Sequence, residues 1–510
     1  MKMKRMINSL ALVAVAAITL AACNMTEPAP QTAISFTATL APKSGEATRA
    51  LDIDGHKTWA YGEKVLLWED IWSDPGIDVP DEYEPVQFIG TITDVDAGGR
   101  ATVTGTLPKL PAYSYSFSIT YPYYDTMNLD PVSFFESQDG DFNTIAQKYD
   151  WAYGTATLVA DGLSATINGD VSMENAVCIT SYSFVDESAN GITADISEMA
   201  IMGENSAAGY NSYLITPSSS ALAAGKLYVA MEPNTGPTAE YTFRIKTTDG
   251  SIYTTPVKRA FLEAGKLYGT ATFTMHKLAV GDLLYSNGGF YSSPQPELGE
   301  PVGIVAYLDD PDTTADDKFT AETLGLVFEW SGSSSLKWME VNAETNPAKV
   351  EFGDEYLFDP DTAPASAYLT PSSGSERLFN IQVYGMSHEA AYRWKYPAFS
   401  YALDDPEYGF IPTVQQSYIM FKSLFGYSGE AAKTLNLGAA STNVSELLGP
   451  HITFWTSTEA SVEDAVVVDL EYDSLSGQYT LAFDKQGKYN TTPVYLATYI
   501  NWPQSGLGLF

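Results

Sequence analysis

Between residues 34 and 276 apolar and polar positions alternate in short runs. Ile34, Phe36, Ala38 and Leu40 alternate with Ser35, Thr37 and Thr39, the period-two pattern of a half-buried strand. Tyr113 to Tyr121 alternates in the same way. Tyr241, Phe243 and Ile245 lead to Asp249-Gly250, a turn pair, and Ser251-Ile252-Tyr253-Thr254 is the expected return strand. Short strands between turn signals predict sandwiches rather than a parallel α/β sheet. The pentapeptide Ala224-Gly-Lys-Leu-Tyr228 recurs at Ala264–Tyr268. One recurrence does not make a solenoid; it marks two similar loop-to-strand junctions.

After His276 the pattern changes: tryptophan is more frequent, loops lengthen and helix signals appear. Thr413-Val-Gln-Gln416 is a capping box, followed by Val414, Tyr418, Phe421 and Phe425 on one helical face, with Gly426 closing the helix. Asn443-Val-Ser-Glu446 reads as a second cap, its short helix stopped by Gly449-Pro450. Residues 277–510 are therefore expected to form an α+β domain.

The first residues read as an export signal. Lys2, Lys4 and Arg5 give a basic start, and Leu10–Leu20 is an apolar run too short to span a bilayer. It ends in Leu20-Ala21-Ala22-Cys23, a lipobox pattern that makes residues 1–22 a lipoprotein signal peptide and Cys23 the site of lipidation (diacylglycerol plus a fatty acyl chain such as palmitate). Asn24 to Gln31 is polar and Pro-containing, as a tether should be. An ordinary signal peptide with a chance cysteine is the competing reading. The other cysteine, Cys178, lies in the apolar run Ala176–Ile179 and reads as a buried small hydrophobe. With Cys23 acylated no intramolecular disulfide is expected, so stability must come from core burial, and the length allows three or four domains.

The formal charge is −36 and becomes more negative once Lys2, Lys4 and Arg5 are removed. Nucleic acid and anionic membranes are excluded as partners on that ground. With 45% hydrophobic and 13% aromatic residues the chain is not of disordered composition. The four histidines, His56, His276, His388 and His451, are far apart and none has metal-ligand spacing. No nucleophile elbow, phosphate loop or dinucleotide fingerprint occurs, and Ser457 is read as a strand serine, so no enzyme, catalytic residue, cofactor or metal is expected. Glu232-Pro233-Asn234 mimics a calcium-lectin triplet but reads as a strand end and turn. The acidic loops Asp309, Asp310, Asp312, Asp316, Asp317 and Asp354, Asp359, Asp361 lack EF-hand spacing and read as solvated. Trp330, Trp338, Trp394, Trp455 and Trp502 are either core or ligand-stacking residues; the sequence leaves both open.

The N-terminal half resembles the fimbrillin family, lipoprotein-derived subunits of type V pili. The residues that carry this are Ile34–Leu40 followed by Thr48-Arg49-Ala50, then Thr58-Trp59-Ala-Tyr-Gly62-Glu-Lys-Val65, Tyr121-Pro122-Tyr123, Gly191–Ser197 and Leu262–Tyr268. The resemblance implies a mostly β protein with two tandem transthyretin-like β-sandwich domains, 50–165 and 166–276, preceded by a lipid tether and removable first strand, 23–49. It further implies an outer-membrane lipoprotein precursor cut by an arginine-specific protease at Arg49–Ala50. Loss of the strand, with its inward face Ile34, Phe36, Ala38 and Leu40, would open a slot for a strand of another pilus subunit: donor-strand exchange. At ~1.5–3 kcal/mol for each large side chain, the empty slot costs on the order of 5–8 kcal/mol. The alternative is that Arg49 is an ordinary loop arginine and the strand never leaves.

The C-terminal half, 277–510, is similar to a C-type-lectin-like domain of bacterial surface proteins. The matching stretches are Gly281–Gly289, Pro301–Ala306, Gly325–Phe328, Tyr396–Phe399, Phe410–Thr413 and Phe454–Glu459. It departs from sugar-binding lectins in having neither Trp-Asn-Asp nor a cystine framework. Val494–Ile500 reads as an internal strand, not one for donation, which makes the chain a tip subunit with 277–510 as its adhesive part. The expected ligand is a host or bacterial surface glycan or protein. Two other readings stay open: a non-polymerising surface lipoprotein that binds glycan or protein, and a surface hydrolase.

Overall fold

The computed structural model describes residues 34–40, 59–70, 84–111, 115–123, 138–161, 164–205, 209–234, 238–309, 323–329, 335–339, 357–369, 396–403, 409–461 and 463–502. The protein is mostly β and divides into two compact units. The first comprises Met1–Met127, Ala146–Val177 and Ala264–Lys266; the second holds Asn128–Ile145, Cys178–Glu263 and Leu267–Phe510.

The first unit contains β1 (Ile34–Leu40), β2 (Lys64–Glu69), β3 (Gln87–Val95), β4 (Ala101–Leu107), β5 (Ser116–Tyr121), β6 (Ala152–Asp161), β7 (Ser164–Val171) and β8 (Glu174–Asn175). Their order is β5-β2-β3-β4-β1-β7-β6-β8, and β5 also pairs with β6, so the sheet closes on itself. Alternation does the folding work. Val65, Leu67, Ala101, Val103, Phe117 and Ile119 point into one core, while the residues between them are more exposed. Asp96 shapes the β3–β4 turn by accepting from the Gly98 and Arg100 amides at 2.8 and 2.9 Å. Residue 165, where the sequence suggests a division, lies inside β7. That strand pairs with β1 and β6, which carries the first unit on to Val177.

The second unit opens with β9 (Cys178–Asp186), β10 (Ile196–Asn205), β11 (Gly209–Ile215), β12 (Leu227–Met231), β13 (Ala239–Thr247), β14 (Ile252–Thr254), β15 (Lys258–Ala260) and β16 (Leu267–Lys277). The sheet order is β11-β10-β13-β14-β16-β9-β12, with β15 paired to β13. The repeated pentapeptide opens β12 and β16, the two neighbours of β9. Its glycines, Gly225 and Gly265, have φ of 69° and 77°, a region that disfavours side chains with a Cβ. Tyr241, Phe243 and Ile245 are buried on β13, and β14 returns beside them after Asp249-Gly250.

Residues beyond 277 belong to this same compact unit. They supply β17 (Leu283–Leu284), β18 (Phe290–Tyr291), β19 (Gly303–Leu308), β20 (Thr323–Glu329), β21 (Ser335–Lys337), β22 (Thr434–Gly438), β23 (His451–Glu459), β24 (Asp464–Asp473), β25 (Gln478–Gly487), β26 (Thr491–Pro493) and β27 (Ala497–Asn501). One sheet runs β18-β17-β19-β20-β27, another β22-β25-β24-β23, and β21 pairs with β26. The helix Val414–Leu424 packs Val414, Tyr418 and Phe421 into their common core. Its Thr413/Gln416 capping box is formed as the sequence indicates. The second cap is Ser441, not Asn443: the Ser441 side chain accepts from the Val444 amide, and the helix runs Thr442–Leu448. β27 corrects the internal-strand expectation. It lies at the end of its sheet's order, paired to β20 and held on its other side by a bridge to Phe410, which exchanges both backbone hydrogen bonds with Ala497.

Candidate functional site: the seat of the first strand

β1 pairs antiparallel with β4 along its whole length, from Ile34 opposite Leu107 to Leu40 opposite Ala101. On its other edge it pairs parallel with β7, from Ser35 opposite Ser164 to Leu40 opposite Val171. The strand is thus an inner member of the closed sheet, with both backbone edges engaged. Of the expected inward residues, Ala38 is 2% exposed and Leu40 fully buried, while Thr37 is exposed. Position 34 faces Leu107 in register and position 36 faces Gly105; the side chains of Ile34 and Phe36 lie outside the described residues. Val103, Leu107, Ala165, Ile167 and Val171 share the core with Leu40. Burying Leu40 alone contributes about 1.5–3 kcal/mol. Removing β1 would also leave two rows of backbone donors and acceptors unpaired.

The chain re-emerges at Trp59, which is buried and packs edge-on against Tyr121 at 5.6 Å. Cys23, Arg49 and Ala50 lie outside the described residues, as do His56, His388, Trp330, Trp394, Asp310, Asp312, Asp316, Asp317 and Asp354.

The other singled-out residues are engaged within the fold. Cys178 is buried, its thiol 3.4 Å from the Met231 carbonyl. Asn234 accepts the Leu262 amide at 2.6 Å, which ties the lectin-like triplet into a loop. Trp338 and Trp455 are fully buried, and each indole donates to a backbone carbonyl in the other's segment: Trp338 to Thr456 at 3.0 Å, Trp455 to Leu336 at 2.8 Å. They are core residues. Asp359 and Asp361 are solvent-accessible, as a solvated loop should be, and they also pair with lysines. Lys433 and Lys485 approach Asp361 at 2.7 and 2.6 Å, and Lys485 approaches Asp359 at 3.1 Å. Hydrogen bonds from Lys433 and Lys485 hold the Asp361 carboxyl at about 2. Ser457 is buried on β23. Among the described residues no group of three or more His, Cys, Asp and Glu side chains is placed to hold a metal. No described helix is long and apolar enough to cross a membrane.

His276, near the end of β16, reads in the sequence only as a histidine without metal-ligand spacing; the structure gives it two carboxylate partners. Its Nε2 lies 2.8 Å from Asp282 Oδ2 and its Nδ1 2.9 Å from Glu187 Oε1. Asp282 also accepts the Ala279 amide at 2.6 Å, so the cluster fixes the turn that leads from β16 to β17. Burial pulls the imidazole pKa down, but the hydrogen bonds to Asp282 and Glu187 outweigh it, and the net direction is up. A raised folded pKa favours the protonated folded state. The stabilisation is complete below the unfolded histidine value of about 6.5 and is lost as pH rises through the folded pKa. We expect the second unit's unfolding midpoint to fall across that window and the fall to flatten in His276→Gln. Denaturant titrations at a series of pH values check this; an unchanged slope in the variant contradicts it.

A scan against models of protein families matches none, and no curated protein matches the chain. Among solved structures, a fimbrial protein from Bacteroides ovatus is similar at 15% identity and a TM-score of 0.35, covering 92% of this chain and 99% of that one. A Bacteroides uniformis protein described as a candidate in cell adhesion covers 48% of this chain and 96% of its own, at 12% identity and a TM-score of 0.24. A double mutant of the shaft pilin SpaA from Lactobacillus rhamnosus covers 49% and 99%, at 12% identity and 0.22. With TM-scores of 0.22 to 0.35, the functional reading rests on the strand geometry instead.

Proposed function

We propose that this chain is a subunit of a cell-surface pilus, made as an outer-membrane lipoprotein acylated at Cys23. An arginine-specific protease cuts Arg49–Ala50, β1 leaves, and a strand from another subunit takes its seat. The observation that carries this reading is the position of β1. This seven-residue strand holds an inner place in a closed sheet, between two partners, and continues into the segment that contains Arg49. A strand so placed is the one whose loss leaves a continuous apolar slot with hydrogen-bonding edges on both sides.

The tip role has support in β27. It pairs with β20 along its length and exchanges both backbone hydrogen bonds of Ala497 with Phe410, which supports its staying within its own fold. Residues 277–510 then face the environment as the adhesive part, toward a surface glycan or protein. Screening the full chain on glycan and host-protein arrays tests this, and silence on both contradicts it.

A cystine lock tests strand removal directly. Thr37 and Thr104 are opposite each other in the β1–β4 register, close enough across a sheet for a disulfide. The variant Thr37→Cys with Thr104→Cys should be exported normally, fail to join fibres when oxidised, and join them after reduction. Fibres containing the oxidised protein would leave the anchored, solitary binder as the reading.

A further inference from the structure

The walls of the β1 seat alternate in bulk. Position 36 faces Gly105 on β4 and Ala165 on β7. Position 38 faces Val103 on β4, and there the β7 wall bulges: Thr37 pairs with Thr166 but Thr39 with Asp170, so one residue of β1 spans Ile167, Asn168 and Gly169. Ile167 is buried in the same core as Ala38, and Gly169 turns the bulge with φ of 72°. Position 40 faces Ala101 and Val171. Small walls therefore stand at 36, large ones at 38, and a small β4 wall again at 40. The residues at these register positions are Phe36, Ala38 and Leu40, and the side chains of Ala38 and Leu40 are buried in the core.

From this alternation and the bulge we infer that the seat selects its occupant by pattern and register. The occupant is an extended segment of another subunit with a large apolar residue, a small one two places on, and a second large one two places further. A one-residue slip turns its apolar set outward. A two-residue slip keeps the alternation but drives a large side chain against Val103 and Ile167 and leaves a void beside Gly105 or Ala101. The bulge sets the same register independently, because only one position along the seat has the extra β7 residues. The identity of the occupant rests on the strand-exchange reading; the size rule does not.

The test uses the full chain after limited cleavage with an arginine-specific protease, and labelled peptides spanning residues 31–42. The wild-type peptide should displace the resident strand. The Ala38→Leu peptide should compete at least about tenfold less well, as overpacking costs suggest, and the outward control Thr37→Val should match wild type. The Ala38→Leu peptide should recover on a Val103→Ala chain, where the wild-type peptide weakens. Equal competition by Ala38→Leu on the wild-type chain, or no recovery on Val103→Ala, overturns the rule. If the wild-type peptide does not enter, strand exchange fails, and the rule is then decided in the uncut chain. There Ala38→Leu should lower the unfolding midpoint of the first unit and added Val103→Ala should restore part of it; no restoration overturns the inference.

Discussion

Arg49→Ala is expected to leave export and surface anchoring intact and to remove the protein from fibres altogether. The reason is a competition between a tethered strand and a free one. Uncut, β1 stays covalently joined to Trp59 through residues 41–58, so its return to the seat is intramolecular, while an outside strand must arrive from solution. Such an outside strand cannot displace a resident that pairs on both edges and buries Leu40. Cutting the link removes that advantage, since β1 then dissociates into bulk. Immunoblots of sheared fibres against whole-cell surface protein read the result. Arg49→Lys should behave like Arg49→Ala if the maturation protease is arginine-specific, as proposed. Normal incorporation of either uncut variant would contradict the maturation step.

Breaking the Lys488–Glu459 pair should give the largest loss of stability of any single side-chain change proposed. Lys488 Nζ sits 2.5 Å from Glu459 Oε1, both side chains are nearly inaccessible, and the ammonium lies over the Trp338 ring at 5.1 Å. Lys488→Met takes the ammonium away from the buried Glu459 carboxylate, and breaking a buried pair in this way costs about 3–5 kcal/mol. The double variant Lys488→Met with Glu459→Leu removes both charges and should recover most of that, because apolar groups of similar size often replace buried pairs at little cost. Chemical denaturation followed by tryptophan fluorescence checks both, as Trp338 and Trp455 lie in this core. A loss under about 1 kcal/mol in Lys488→Met would mean that water reaches the pair.

Much of the strand content was legible because the signal is local. The alternation of Ile34–Leu40 became β1, Tyr241–Ile245 and its Asp249-Gly250 turn became β13 and β14, and the Thr413 box became a formed cap. The misplaced cap at Asn443 shows the limit of such signals. Ser441 and Asn443 both offer a side-chain oxygen ahead of an apolar run, and only the backbone geometry picks Ser441, which has φ −62° and ψ 160°. Pairing partners were not legible. β1 lies beside β7 only because Leu40 meets Val171 far along the chain, and nothing in either segment names the other. The same holds for His276 and Glu187, 89 residues apart, and for Lys488 and Glu459, 29 apart. The aromatic richness of the last region was visible, but whether a tryptophan faces core or solvent depends on long-range packing. Trp338 and Trp455 proved internal because each indole found a backbone carbonyl on a neighbouring segment.

The N-terminus of the protein recovered from purified fibres tests the central claim most directly, read by peptide mass spectrometry. Maturation by strand removal predicts Ala50 as the first residue and no peptides from 34–40 in the fibre. Fibre-bound chains that still begin at acylated Cys23, with Ile34–Leu40 intact, would contradict it.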